Sequence, residues 1–541
     1  MKKWISVFLC MVLMVTTLIG CGNSESGTAS PAASKTNSGA DDKATEQSPD
    51  SGVAKESSDT GNGSLADDDD EDIAKIILAF YGSNNLSDSA TVAEAINEIT
   101  IPAIHTEVEL MPVEMGAWSQ QLSLMIAGDE ELDLAPTFFF GPGTFDAMYA
   151  QNQLMELNDL LDEYGQDILE TLPEDYLKAT TYDGGIYAIP VNADKVSNLY
   201  LNMRKDILEE IGMVEKAENI KSMSDVEEIL AAVKDQTDLI PLAASSHAII
   251  HFSNLLVDDK FEDAVAFDKL VGDYVVTLST DPTKVVNLYE TEEFKSSVAI
   301  IEDWFNKGYI HPDAATTDED SNRYVISGKC FGYFSVGENA TAYTGGGEFP
   351  FEMLKVTLAS TPIATANLNT ITWTIPVTSR EPEAAMKFLN MMYSNKEIVD
   401  LLNYGIRDVH YVVDAEGHYN YPEGVDFSNT TYYPNMTWLF GNQYLAGPWG
   451  ADPLDIREQS KRINENAKLS PILGFVADAS EYSTVIAGLT SATSEFVDQI
   501  KCGVNSLENV DAMVGKMKSA GIDDLVAGVQ DQLDTWLKDN K

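Results

Sequence analysis

The chain has few of the side chains with which proteins hold nucleic acid. Its 541 residues include 34 Lys and Arg against 87 Asp and Glu, which gives a formal net charge of −53. A surface this acidic repels phosphate backbones, so we exclude nucleic acid as a partner. The acidity bears on solubility rather than on mechanism, because a local Arg or Lys can still bind an anionic ligand.

Cysteine and histidine are also scarce. The first two of the four Cys lie near the N-terminus, which leaves Cys330 and Cys502 for the rest of the chain. A disulfide between them stays open for a protein outside the cell, but we predict two buried free thiols. Among six His, only His247 and His251 have a spacing of four, and the apolar residues around them favour a strand or core over a metal-binding helix.

Signatures of hydrolases are missing as well. No GxSxG elbow, HExxH pair or phosphate-cradling Gly loop occurs. We therefore expect no enzyme activity and no metal or organic cofactor. Because 87 carboxylates make chance pairs inevitable, the acid pair of a glycoside hydrolase remains an alternative.

One apolar run is present, over residues 4–19 after two Lys. It is too short to cross a bilayer comfortably and is typical of an export signal. The run ends in LIGC at 18–21, which resembles the lipobox of bacterial lipoproteins. We predict a lipoprotein signal peptide over 1–20 and a lipid anchor on Cys21, with an ordinary signal peptide and a chance Cys as the alternative.

A polar segment follows the predicted signal. Residues 22–65 are mostly Ser, Gly, Ala, Thr and Asp, and they hold too few large apolar side chains to form a core. The acidic run at 67–72 lacks the Gly turn and the ligand spacing of a calcium loop, which favours a solvated spacer. We assign 21–72 to a disordered acidic and Ser-rich tether.

The remaining chain, 73–541, is larger than one ordinary core, so we expect two lobes. Strand and helix patterns alternate from the start, with a strand over 76–81 and a helix over 91–99. A further strand ends in the aromatic run 138–140, which precedes Gly-Pro-Gly. That order places an aromatic tip at the carboxyl end of a strand, where open α/β sheets hold ligands.

Helical periodicity marks the later core elements. Ser224 with Glu227 predicts a capping box for a helix over 225–233. Trp118 and Trp304 lie inside helical patterns and are expected in the core. The apolar stripe of the C-terminal helix, also expected to pack against a core, consists of Leu525, Val529, Leu533, Trp536 and Leu537.

Taken in order and spacing, several segments resemble the family 1 extracellular solute-binding proteins, and most of all their long lipoprotein branch. The resemblance covers nearly all of 73–541. The segments that carry it are WSQQLSLMIAGDEELDLAP from Trp118, YAQNQLMELNDLLDEYG from Tyr149, YDGGIYAIPV from Tyr182, YLNMRKDILEEIGM from Tyr200, EDWFNKGYIHPDAAT from Glu302, REPEAAMKFLNMMYSNKEIVDLLNYGI from Arg380 and WLFGNQYLAGPWG from Trp438.

The resemblance implies an α/β, two-lobed periplasmic-binding-protein-like fold of type II, with an interlobe cleft and a helical C-terminal region. Ligand contacts completed only in the closed state would draw the lobes together. We expect chain crossovers near 190–200 and 364–373. The expected lobes are 73–192 with 374–435, and 193–373 with 436–541.

Sugar recognition requires flat aromatic faces and planar polar groups. Trp438 and Trp449 bracket a stretch with Gly and Pro, so we expect both on one loop that a sugar ring covers. By analogy with the family, the candidate ligand-binding residues are Tyr81, Ser83, Asn84, Phe139, Phe140, Asp194, Lys195, Glu338, Trp373, Tyr404, Arg407, Trp438, Asn442 and Trp449.

The function that the resemblance implies is capture of a small polar ligand, with an oligosaccharide expected first, for a bacterial ABC importer. The expected partners are that ligand and the ABC permease subunits. We expect a monomer outside the cytoplasm, held at the outer face of the cell membrane by its lipid anchor alone. A peptide-binding or other nutrient-binding lipoprotein, a surface glycoside hydrolase, and an adhesin or scaffold are the alternatives.

Overall fold

The computed structural model describes residues 73–82, 86–138, 141–244, 254–317, 319–337 and 349–540. The signal peptide and tether predicted over 1–72 therefore lie outside the described residues. So do several individual predictions, which concern Cys21, Ser83, Asn84, Phe139, Phe140, His247, His251 and Glu338.

The described strands group into several separate sheets, and the expected first strand is confirmed. In chain order the strands are β1 (Ala74–Gly82), β2 (Thr106–Glu114), β3 (Ala135–Pro136), β4 (Thr181–Tyr182), β5 (Gly185–Ile186), β6 (Ile189–Pro190), β7 (Asn198–Arg204), β8 (Ile240–Ala243), β9 (Leu255–Leu256), β10 (Val265–Val271), β11 (Val275–Leu278), β12 (Asp281–Asn287), β13 (Cys330–Gly337), β14 (Met353–Ser360), β15 (Thr372–Thr374), β16 (Val412–Val413) and β17 (Tyr419–Asn420).

Helices connect most of these strands, and the helix expected over 91–99 is confirmed within a longer one. In chain order the α-helices are α1 (Ser89–Ile104), α2 (Trp118–Ala127), α3 (Phe145–Ala150), α4 (Asn158–Tyr164), α5 (Gln166–Thr171), α6 (Glu174–Leu177), α7 (Lys205–Glu210), α8 (Val214–Glu218), α9 (Met223–Gln236), α10 (Glu292–Asn306), α11 (Ser321–Ile326), α12 (Thr365–Asn369), α13 (Pro382–Ser394), α14 (Lys396–Tyr404), α15 (Ile456–Glu465), α16 (Ser483–Lys501), α17 (Ser506–Ala520) and α18 (Ile522–Asp539).

The first hydrophobic core is built around β1, which pairs in parallel with β2. Both faces of β1 are buried from Leu78 to Tyr81, which explains why its sequence is a continuous apolar run instead of an alternation. The short strands β3 and β6 flank β15 in an antiparallel sheet beside it. Helix α13 begins at Pro382, whose fixed φ suits a first helical turn, and buries Phe388 and Leu389 in this core.

The second core lies on one face of a four-stranded sheet in the order β14-β7-β13-β8. Strand β7 alternates, so that Leu199, Leu201 and Met203 enter the core while Asn198 and the other intervening residues face the opposite side. Helix α9 packs on the core face of this sheet.

The capping box of α9 forms two residues earlier than the sequence pattern predicts. The Ser222 hydroxyl accepts from the Asp225 amide at 3.1 Å, and Asp225 accepts from the Ser222 amide at 3.1 Å. Ser224 instead donates its hydroxyl to Asp259 at 2.8 Å. The predicted cap at Ser224 and Glu227 is therefore wrong, because a distant carboxylate engages that serine.

The third core joins the antiparallel sheet β12-β11-β10-β9 to the C-terminal helices α16, α17 and α18. The stripe predicted on α18 is confirmed as core packing, since Leu525, Val529 and Leu533 are fully buried and Trp536 packs against them. Ile522 joins this stripe. Among the described residues, no helix combines the length and apolar character that a membrane crossing requires.

Three chain segments connect the first core to the other two. The first crossover runs from Val196 in the first core to Leu199 in the second, within the predicted window. The second runs from Ala359 to Ile363, just before the window expected at 364–373. Beyond the division expected at 435/436, residues as late as Leu473 still pack on the first core.

A close approach explains why the segment after 435 stays with the first core. Gly441 has a φ of +59°, and a Cβ built there would lie 2.2 Å from the Met392 carbonyl oxygen. The loop can therefore approach the end of α13 only with glycine at this position. Phe440, beside it, packs against Phe80 with ring centroids 5.5 Å apart.

Several core predictions are confirmed. Trp118 and Trp304 have no exposed surface. Cys330 and Cys502 are buried free thiols, and burial raises the pKa of each to about 12. Such thiols are protonated at neutral pH and act as small apolar side chains.

Candidate ligand-binding cleft

A cavity of about 380 Å³ lies between residues of the first and third cores. Its walls come from parts of the chain on either side of the crossovers, so a movement about the crossovers would change its width. One wall consists of Phe138, Thr144, Phe145, Asp146, Thr365, Ala366, Asn369 and Thr370. The facing wall consists of Lys269, Leu270, Gly272, Phe475, Val476 and Ala477.

Asp146 is the carboxylate in the cavity lining. It lies in the first turn of α3, whose N-cap is Thr144, and its side chain is exposed. Tyr182 donates its hydroxyl to Asp146 Oδ1 at 2.7 Å. Desolvation by the surrounding protein raises the pKa of Asp146, and the hydrogen bond from Tyr182 opposes that rise.

Lys269 is the cation of the facing wall. Its Nζ lies 2.7 Å from Asp273 Oδ1, an ion pair that joins β10 to the turn before β11. The neighbouring Asp268 accepts a hydrogen bond from the Ser470 hydroxyl, and desolvation raises the pKa of Asp268. That bond ties the β10 strand to the chain segment that enters the third core.

Four aromatic side chains adjoin the cavity through Phe138, and we call Tyr81, Trp118, Phe138 and Trp438 the cleft aromatic group. Tyr81 lies edge-on to Trp118 and to Phe138, with ring centroids 5.1 Å apart in both pairs. Trp438 is half-buried, with its ring 5.8 Å from that of Tyr81. Among the described residues, neither Tyr81 OH nor Trp118 Nε1 has a hydrogen-bond partner, although both atoms are buried.

A second aromatic cluster lies around the hairpin of β16 and β17, and we call Tyr404, Tyr411, Tyr419, Tyr433 and Trp449 the hairpin aromatic group. Trp449 stacks on Tyr404 at 5.4 Å and packs against Tyr433 at 4.4 Å. Tyr404 donates its hydroxyl to the Gly447 carbonyl at 2.9 Å, and Tyr419 donates to Asp400 Oδ2 at 2.8 Å. The buried hydroxyls of Tyr404 and Tyr419 therefore have acceptors within the protein.

Residues 94–407 match the family described as bacterial extracellular solute-binding protein. The match covers more than half of the chain. This chain belongs to that family. Residues 471–538 also match a domain of unknown function, DUF3502, and this region supplies Phe475, Val476 and Ala477 to the cavity wall.

Both a sequence relative and a solved structure resemble this solute-binding protein over most of its length. A carbohydrate ABC transporter substrate-binding protein of Streptococcus pneumoniae serotype 4 is 24% identical over 493 residues, which are 89% of this chain and 94% of that protein. The crystal structure of the N-glycan transport solute binding protein NgtS from Streptococcus pneumoniae is 21% identical, covers 86% of this chain and 100% of that chain, and has a TM-score of 0.71.

An HMO-binding, ABC-transporter-associated solute binding protein from Bifidobacterium longum infantis is 16% identical, covers 86% of this chain and 99% of that chain, and has a TM-score of 0.58. At these identities the solved structures establish the fold. The α/β, two-lobed solute-binding fold expected from the sequence is thereby confirmed. The family is one of binding proteins and is described as extracellular.

The structure places the predicted site residues of this solute-binding protein in different surroundings. Tyr81 and Trp438 lie in the cleft aromatic group, next to a cavity-lining residue. Trp373 has no exposed surface, and its indole N–H donates to the Leu439 carbonyl at 2.7 Å. The structure therefore does not bring Trp373 to a ligand-accessible surface.

Asn442 also uses its amide within the protein. Its Nδ2 donates to the Tyr393 carbonyl at 3.0 Å, and its Oδ1 accepts from Asn192 Nδ2 at 3.3 Å. Tyr404 and Trp449 lie in the hairpin aromatic group, and Arg407 is exposed on the turn that follows α14. None of these four residues lines the described cavity.

Asp194 and Lys195 lie immediately before the first crossover, between Ala193 and Val196 of the first core. The Asp194 amide donates to Gln443 Oε1 at 2.8 Å, and the Lys195 amide donates to Asn464 Oδ1 at 3.0 Å. Asn464 Nδ2 in turn donates to the Ala193 carbonyl at 2.7 Å. Hydrogen bonds therefore hold the start of the first crossover to Gln443 and to Asn464 of α15.

Sequence reasoning missed most of the cavity lining. Asp146 and Thr144 follow directly after the aromatic run that was singled out, so that extending the loop to the helix start would have found them. Lys269 and Asn369 carry no local signal, because only the folded chain brings the β10–β11 turn and α12 to one cavity.

Proposed function

We propose that this solute-binding protein captures an oligosaccharide in the cavity between its lobes, closes on it, and delivers it to the permease of an ABC importer. The observation that carries the proposal is the cavity of about 380 Å³ whose walls come from both sides of the crossovers. Ligand contacts made by both walls would favour the closed arrangement over the open one.

The lining supports a sugar ligand. Phe138 and Phe145 provide apolar ring surface, while Asp146, Asn369 and Thr370 provide acceptors and donors at the same cavity. Sugar rings combine an apolar C–H face with hydroxyl groups and so require both kinds of surface. The relatives support the same class of ligand, since the substrate-binding protein of Streptococcus pneumoniae is named for carbohydrate and NgtS for N-glycan.

The remaining parts of the proposal come from the N-terminal sequence and from the family. We propose that Cys21 carries the lipid anchor, that the protein acts as a monomer at the outer face of the membrane, and that it uses no cofactor. Replacing Cys21 by Ser should leave the protein exported and released into the medium. Membrane retention of that variant would contradict the lipobox.

The function is tested by calorimetric titration and thermal unfolding of the chain from residue 73 onwards. The probes are neutral oligosaccharides, with the mannose–N-acetylglucosamine glycan Man5GlcNAc first, because NgtS was crystallised with it. A ligand present at 100 times its Kd should stabilise the folded protein by about 2.7 kcal/mol. Mass spectrometry of the recovered glycan should show no cleavage.

Two results would overturn the proposed function. Stabilisation by short peptides with none by any oligosaccharide would replace the ligand class. Cleavage of the bound glycan would make the protein a glycoside hydrolase, and a pair of carboxylates would then have to act on the bond.

A further inference from the structure

The charges of the cavity lining favour one class of oligosaccharide over another. Asp146 and Lys269 are the charged side chains of the described lining. Lys269 lies 2.7 Å from Asp273, so its charge is largely compensated before any ligand arrives. Asp146 has Tyr182 as its hydrogen-bond donor and no cationic partner among the described residues. With Asp273 counted beside Lys269, the charges at the cavity sum to −1, and the uncompensated one is that of Asp146.

The position of Asp146 is fixed by the aromatic residues behind it. Tyr182, which donates to Oδ1, stacks on Tyr149 with ring centroids 4.3 Å apart and packs against Phe145 at 5.5 Å. A ring held on two sides keeps its hydroxyl, and thus the carboxylate, in one place. Oδ2 has no hydrogen-bond partner in the described part of the chain, and the side chain is exposed.

We propose that Asp146 is the specificity-determining residue of the cavity: its free carboxylate oxygen accepts hydroxyl groups of the ligand, and its charge selects neutral oligosaccharides over uronate-containing ones. This inference rests on the proposed function. A carboxylate accepts two hydroxyl hydrogen bonds through Oδ2, and bonds to an ionised acceptor are stronger than neutral ones. A uronate would instead place a second negative charge beside Asp146, with Lys269 already paired.

The matched variants differ in what they remove. D146N keeps the shape of the side chain and an acceptor for Tyr182 but removes the charge, and D146A removes the acceptor altogether. Y182F leaves the carboxylate in the cavity and removes the hydroxyl that positions it. D159N is the control, since Asp159 is an exposed carboxylate in the first turn of α4, away from the cavity lining.

The measurement is calorimetric Kd for Man5GlcNAc and for an alginate oligosaccharide, a uronate probe, with each variant. We expect the parent protein to bind the neutral glycan and to bind the uronate at least tenfold more weakly. D146N and D146A should weaken binding of the neutral glycan about tenfold or more, and Y182F by less. D146N should also lower the ratio of the uronate Kd to the neutral-glycan Kd. A merely structural role of Asp146 would leave that ratio unchanged.

The outcomes separate this inference from the function on which it rests. Binding of the neutral glycan that D146N leaves unchanged would overturn the role of Asp146 and leave the proposed function standing. Tighter binding of the uronate than of the neutral glycan would overturn the selection for neutral ligands. Failure of the parent protein to bind any oligosaccharide would overturn both. An equal loss of glycan affinity in D159N would also count against Asp146, because it would mean that the net charge of the protein, and not the carboxylate in the cavity, controls binding.

Discussion

The cleft aromatic group and the hairpin aromatic group have similar composition but opposite hydrogen bonding. In the hairpin group, the hydroxyls of Tyr404 and Tyr419 donate to Gly447 and Asp400. In the cleft group, Tyr81 OH and Trp118 Nε1 are buried without partners among the described residues. An unsatisfied buried donor destabilises a fold, so it persists where something else supplies the missing partner.

This difference in hydrogen bonding distinguishes aromatic residues that complete a core from aromatic residues whose buried polar atoms lack a partner within the described chain. Asp400 is only 6% exposed, yet Tyr419 and Lys396 both hydrogen-bond to it, so the hairpin group is self-sufficient. The cleft group adjoins the cavity through Phe138, which is part of the cavity lining. We therefore predict that Trp449 serves packing and that Trp438 contributes to ligand binding.

The largest expected effect is on folding, from W449A. The variant loses the rings of Tyr404, Tyr421 and Tyr433 as packing partners, and the unfolding free energy should fall by about 3 to 5 kcal/mol. Urea unfolding measures this change, and titration of the folded fraction should give the Kd of the parent protein. Lost affinity with unchanged stability would return Trp449 to the ligand site.

The second-largest expected effect is a loss of unfolding free energy in Y419F. The variant leaves the buried Asp400 carboxylate without its hydroxyl donor, which should cost about 1 to 3 kcal/mol of unfolding free energy. Lys396 and the Gly447 amide still contact Asp400, so the chain should remain folded. An unchanged urea midpoint would mean that the hairpin group is not held together by this bond.

A third variant, W438A, sharpens the comparison from the side of the cleft. The half-buried ring should contribute to ligand binding by stacking, so affinity should weaken by about 1 to 3 kcal/mol. Stability should change less than in W449A. If W438A loses stability like W449A and binds as tightly as the parent protein, the two groups do not differ in the way we propose.

The smallest effect is expected from Y81F. Because its hydroxyl has no partner in the described chain, removing it should leave the unfolding free energy unchanged or raise it by up to about 1 kcal/mol. The matched comparison is Y419F, the same substitution in the hairpin group. A loss in Y81F as large as in Y419F would show that the Tyr81 hydroxyl is already satisfied.

The sequence predicted elements with strong periodicity better than it predicted the site. Strand β1 and helices α1 and α18 carry clear apolar patterns, and the sequence predicted all three. The cap of α9 was misplaced, because Ser222 and Ser224 each precede an acidic residue by three, and only the folded chain reveals that Asp259 engages Ser224. Such choices depend on contacts between residues far apart in sequence.

The same limit explains the site. Trp438 and Trp449 lie on one predicted loop, and nothing local indicates that Tyr404, Tyr421 and Tyr433 pack around only the second. Asp146 is one carboxylate among 87 acidic residues, and its distinction comes from Tyr182, which is 36 positions away in the sequence. Burial and partners, not residue type, identify a binding residue.

The most direct measurement is a crystal structure of the chain from residue 73 with a bound neutral oligosaccharide. We expect sugar hydroxyls within hydrogen-bond distance of Asp146 Oδ2, a ring against the cleft aromatic group, and both walls of the cavity in contact with the glycan. A glycan bound on the hairpin aromatic group at Trp449, with the cavity between the cores empty, would contradict the account.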